Sequence, residues 1–135
     1  MSIQEILHND QPSKPSVPGK IVLVVDDDPG FRELIAAILS PAGYRIAEAA
    51  NGSEAIAIAG VNQIDLLITD LVMEKGEGIE TIRHFAKHFP AVPIVAMSGK
   101  YSYLRAAKAL GAAATLVKTD VVEQLLPTLQ QTLHG

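Results

Sequence analysis

The 135-residue chain contains no cysteine. That excludes disulfides, thiolate metal sites and cysteine nucleophiles, and it fits a reducing compartment such as the cytoplasm. No apolar run reaches the roughly 20 residues of a membrane-spanning helix, and the N-terminus lacks a basic-then-apolar leader. No membrane partner is therefore expected. Lys and Arg number 11 against 15 Asp and Glu, for a net charge of -4, and the basic residues are scattered. Without a basic patch nothing neutralises a run of phosphates, so nucleic acid is not an expected partner either. Phosphate-cradling loops are missing too. Glu74-Lys75-Gly76-Glu77-Gly78 has neither P-loop nor dinucleotide-fingerprint spacing and reads as a flexible loop. What remains is an ordinary composition, 48% hydrophobic, in a chain long enough for one domain with a real core.

Residues 1–19 stand apart. Gln11 to Gly19 is a proline-rich extended tract with little to bury, preceded by Ile3, Ile6 and Leu7 at helical spacing. This segment reads as a flexible N-terminal arm, because so short a helix is marginal alone; the sharper reading is a docking helix on a tether. The pattern becomes regular over 20–135. Ile21–Val25 is a strand. Pro29 opens a helix striped by Phe31, Leu34, Ile35, Ile38 and Leu39 and stopped by Pro41-Ala42-Gly43. Tyr44–Ala49 mixes polar and apolar residues as an edge strand does. Asn51–Glu54 turns into an alanine-rich helix up to Ala59. Ile64–Thr69 is a buried strand ending at Asp70, and Ile79, Ile82, Phe85, Ala86 and Phe89 stripe the next helix. Ile94–Met97 is a strand ending at Ser98, a helix covers about Tyr101 to Leu110, and Ala114–Val117 is a strand ending at Lys118. Val122, Leu125, Leu126, Leu129 and Leu133 stripe the final helix, with Asp120 and Glu123 as cap and partner and Pro127 as a kink.

Strands alternating with helices imply an α/β fold, a parallel sheet covered on both faces. The mixed strand belongs at an edge, which favours a doubly wound five-stranded sheet of order 2-1-3-4-5, the flavodoxin-like (βα)5 arrangement. Ligands in such sheets sit beyond the carboxyl ends of the strands. Those ends carry Asp26-Asp27-Asp28, Asp70, Ser98 and Lys118. Clustered carboxylates call for a cation, and an oxygen-only set suits Mg²⁺. Lys118 offers a point charge and Ser98 a hydroxyl to phosphoryl oxygens, and a central carboxylate can accept a phosphoryl group. Any one of these residues alone would be an ordinary solvated loop group; Asp28 reads simply as a helix-start carboxylate. His84 and His88, one helical turn apart, read as a solvated pair lacking a third metal ligand. Tyr101 and Tyr103 are either half-buried aromatics or part of a partner surface.

The stretches VLVVDDDPGFREL, DLLITDLVMEKGEGIE, PIVAMSG and GAAATLVKTD resemble the receiver domain of two-component response regulators, over Lys20 to the C-terminus. The resemblance implies that Asp26 and Asp27 are the acidic pair, with Asp27 a direct Mg²⁺ ligand. It further implies that Asp70 is the phosphorylated residue, that the main-chain carbonyl of Val72 also coordinates the metal, that Ser98 is the switch hydroxyl and that Lys118 is the phosphoryl-binding lysine. It implies a phospho-acceptor, not an enzyme in its own right, that takes phosphate from a histidine kinase or phosphotransfer protein. Because the last helix ends at about His134, a stand-alone, cytoplasmic receiver reporting through a partner protein is expected.

Three departures accompany the resemblance. Glu74 stands where the family has proline, Thr119 where a cis proline usually follows the lysine, and Thr115 where the last strand usually carries an aromatic switch residue. A trans peptide is expected at Thr119, since a non-proline cis bond is costly. The stretch from Ser98 to Gly111 is also short, and Lys100 falls near the phosphoryl site. These departures motivate an alternative reading, a receiver-like protein-binding module that works without phosphate. An aspartyl-phosphate phosphatase would want a second carboxylate two residues beyond Asp70, where Val72 stands. A flavin protein of the same topology would want a Ser/Thr-rich loop after the first strand, which is missing.

Overall fold

A computed structural model describes residues 19–73 and 77–134. Its elements alternate as the hydrophobic pattern requires: β1 (Ile21–Val25), α1 (Pro29–Leu39), β2 (Arg45–Ala49), α2 (Gly52–Val61), β3 (Leu66–Asp70), α3 (Gly78–His88), β4 (Ile94–Ser98), α4 (Leu104–Leu110), β5 (Ala114–Val117) and α5 (Val121–His134). The strands form one parallel sheet of order β2-β1-β3-β4-β5. The mixed strand is at an edge, as expected. The N-terminal arm up to residue 18 and the departure at Glu74 lie outside the described residues.

Two cores follow from the period-2 pleat, which sends alternate side chains to opposite faces. Leu23, Val25, Leu67 and Ala96 pack with Ala55, Ile82, Phe85 and Ala107 of α2, α3 and α4. Val22, Val24, Leu66, Ile68, Val95 and Met97 pack with Ile35 and Leu39 of α1 and Val121, Leu125 and Leu129 of α5. Strands β3 and β4 are buried over their whole length, which explains their unbroken apolar runs.

Local signals fix the helix ends. Asp28 caps α1, its Oδ1 accepting from the Gly30 amide at 2.9 Å. Asn51 caps α2, its Oδ1 accepting from the Glu54 amide at 2.9 Å, and the Glu54 carboxylate accepts from the Ala50 amide, one residue before the cap, at 3.1 Å. Gly43 takes the left-handed conformation, φ 100°, that ends the turn after α1.

Several helix stripes differ from the expectation. Leu34, Ile79 and Val122 are exposed, and so is Ala86. At α5 the cause is a 3-10 turn, Lys118–Asp120, that leads directly into the helix. Its phase places Val121, Leu125 and Leu129 inward at i, i+4, i+8, and leaves Val122 about 100° around the helix. Asp120 thereby ends that turn instead of standing outside the helix as a cap. Helix α5 continues through Pro127 to His134. The expected fourth helix divides into a 3-10 turn, Tyr101–Tyr103, and the seven residues of α4. Tyr101 and Tyr103 are exposed.

Candidate functional site

Sheet register builds the site. Val25 lies opposite Thr69, so Asp26 runs out beside Asp70; Asp70 pairs with Met97, and Ser98 pairs with Val117, one residue before Lys118. Four strand ends thus carry their polar residues to the same edge of the sheet.

Asp26 is wholly buried. Its amide donates to Ala49 O at 3.1 Å, its Oδ1 accepts from the Asp28 amide at 2.9 Å, and the Arg32 guanidinium donates to its carbonyl. Asp70, also buried, accepts from the Val72 amide at Oδ1, 3.1 Å. The Lys118 ammonium bridges the two, reaching Asp26 Oδ2 at 2.7 Å and Asp70 Oδ2 at 2.9 Å. Asp27 is exposed, yet one carboxylate oxygen from each of Asp26, Asp27 and Asp70 lies within 4.8 Å of the others. Ser98 is buried, and its Oγ accepts from the Lys100 amide at 3.0 Å. Val72 lies in the loop just beyond Asp70, with its side chain exposed. Gly78 opens α3 tight against that loop. A Cβ there would fall 2.2 Å from Leu71 O, so only glycine fits.

The electrostatics are those of a site short of positive charge. Burial pushes the Asp70 carboxyl up, and the Lys118 and Val72 hydrogen bonds offset this only in part. Burial works against the charged form of Lys118, but its bonds to Asp26 and Asp70 outweigh that and hold its pKa above the ordinary value. Among the described residues the Lys118 ammonium bridges two of the three carboxylates, and the Arg32 guanidinium meets the Asp26 main chain and Glu48 instead. An oxygen-only carboxylate cluster fits a hard divalent cation such as Mg²⁺, which Asp26, Asp27 and Asp70 would hold.

Asp26, Asp27, Asp70 and Lys118 therefore converge, Ser98 ends the neighbouring strand, and Asp28 turns away to cap α1. The peptide between Lys118 and Thr119 is trans, as are the others among the described residues. The His84 and His88 rings are tilted 36° to each other with centroids 4.4 Å apart, and burial, followed by electrostatic repulsion from its neighbour, lowers the His84 pKa. Among the described residues no third metal-binding side chain joins them. Sequence reasoning missed two supports of the site. Arg32 joins Asp26 O to Glu48 on β2, with Nε 2.9 Å from Oε1. Phe31 lies under Lys118, with Nζ 4.5 Å from the ring centroid. No periodicity pairs residues 32 and 48 or 31 and 118; only the crossovers do.

Comparison with known proteins gives a consistent picture. The family model of the response regulator receiver domain matches residues 22–130. The transcriptional regulatory protein ZraR of Salmonella typhimurium is 35% identical over 120 residues, covering 87% of this chain and 27% of that protein. The chain thus spans about a quarter of the length of the curated relatives it first matches. Among solved structures, chemotaxis response regulator CheY4 of Vibrio cholerae is 34% identical with a TM-score of 0.77, covering 84% of this chain and 98% of that one. TrrA of Thermotoga maritima, solved in complex with Mg²⁺-BeF, is 30% identical with a TM-score of 0.78, covering 84% and 99%.

Proposed function

The chain belongs to the response regulator receiver domains, and from that premise we propose that it is a phospho-accepting signalling module with Asp70 as the acceptor. The observation that carries this is the Lys118 ammonium bridging Asp26 and Asp70 beside a third carboxylate. In this reading an Asp70 carboxylate oxygen attacks the phosphorus of a phosphohistidine on a kinase or phosphotransfer protein. The P–N bond breaks, the ring nitrogen keeps the electron pair, and an aspartyl phosphate forms. Lys118 gives up its bond to Asp70 for a phosphoryl oxygen, and Ser98 donates to another. Water later attacks the phosphorus, releasing inorganic phosphate and restoring the carboxylate. Asp26, Asp27, Asp70 and the Val72 carbonyl would hold Mg²⁺, which when bound would supply neutralisation of phosphoryl charge.

The protein reports its state to a partner protein. Phosphorylation favours a conformation with Ser98 drawn inward, and the partner binds that conformation better. Thr115, small and partly buried on β5, has no ring to swing with it. The output face comprises α4, β5 and α5, in a receiver of residues 20–135 that works in the cytoplasm and is preceded by an arm of residues 1–19. Incubation with Mg²⁺ and acetyl phosphate, followed by intact mass, tests the chemistry. One phosphoryl group should add to the parent and none to Asp70→Asn. An unmodified parent would instead support a binding module independent of phosphate.

A further inference from the structure

Lys118 is a point charge on a four-carbon stem, and it must leave one carboxylate when a phosphoryl group arrives. Something other than that carboxylate has to keep it in place. Its Nζ lies 4.5 Å from the centroid of Phe31, in the first turn of α1. The ring is half-buried against the core beneath α1 and α5. The next residue, Arg32, ties this turn to the Asp26 carbonyl and to Glu48. The platform is therefore anchored from both sides.

We propose that Phe31 is a positioning residue for phosphoryl transfer, its ring face holding the Lys118 ammonium on the line between Asp26 and Asp70. The physical logic lies in how the contact is made. An ammonium has three protons to donate. Asp26 and Asp70 each take one. A further hydrogen-bonded carboxylate in place of the ring would fix the last proton and resist transfer of the ammonium to the phosphoryl group. An aromatic face attracts the charge through its quadrupole without fixing a proton. The lysine thus stays in place as the incoming phosphoryl oxygen replaces Asp70 Oδ2 as its partner.

This inference rests on the phospho-acceptor reading, and the test separates the two. In the full chain, Phe31 is replaced by mono-, di- and trifluorinated phenylalanine, which keep the ring's shape while draining its negative face. The rate of phosphorylation by acetyl phosphate with Mg²⁺ is read by intact mass. The rate should fall stepwise with fluorine content, by about two- to fivefold across the series. Phe31→Leu should fall at least as far, whereas Phe31→Trp should hold or exceed the parent rate. A flat fluorine series, or Phe31→Leu as fast as the parent, overturns the role of the ring and leaves the acceptor reading intact. A parent that gains no phosphoryl group overturns both. Thermal melts of each variant identify any loss due to unfolding, and the fluorinated series, unchanged in shape, then decides.

Discussion

Asp70 and Lys118 each shape the other's ionisation. Asp70 is destabilised as a carboxylate by its burial and only partly relieved by Lys118, so it holds its proton more tightly in the folded chain than in the unfolded one. Between the unfolded value, about 3.9, and the raised folded value, the native state binds more protons. Stability therefore falls as pH rises through that window, and the deficit persists at neutral pH. Asp70→Asn is expected to melt higher than the parent at pH 7 in EDTA, with the gap closing near pH 4. A lower melting point at pH 7 would show that the Lys118 bridge outweighs the burial. Gly78 is the other residue-scale constraint. Gly78→Ala forces a Cβ against Leu71 O, so a loss of about 2 kcal/mol in denaturant melts is expected.

At the scale of elements, the helix faces depend on how each helix is entered. Helix α5 begins from a 3-10 turn, and that turn chooses Val121 over Val122 for the core. Val121→Ala should cost about 2 kcal/mol through lost burial and a residual cavity. Val122→Ala should stay within about 0.5 kcal/mol, as exposed substitutions do. Equal costs would mean that the helix is rotated from the orientation described. The same entry turn begins at Lys118, so the start of α5 and the placement of the ammonium are set together.

At the scale of the whole molecule, the site joins the ends of β1, β3, β4 and β5, which share no local contact in sequence. A ligand that bridges those ends binds the folded chain and not the unfolded one, and so stabilises all of it. Millimolar Mg²⁺ is expected to raise the melting temperature of the parent, and Asp27→Asn should remove most of that rise. An undiminished shift in the variant would mean that Asp27 is not a ligand. The expected elements, their order and the edge position of β2 were all legible in the chain, because alternating strand and helix periods constrain a parallel sheet strongly. So was the convergence of Asp26, Asp70 and Lys118, since the carboxyl ends of parallel strands share one rim. Helix rotation was not. The broad stripes of α1, α3 and α5 included Leu34, Ile79 and Val122, which border the buried face without entering it.

The sequence by itself determined the strands and helices, their order, the helix-start carboxylate Asp28 and the strand-end residues, because these depend on hydrophobic period and spacing along the chain. Only the tertiary structure decided what supports those residues. The Phe31 ring meets Lys118, and Arg32 meets Glu48, through contacts between elements far apart in the chain. Such contacts depend on register and helix phase, which no local pattern encodes.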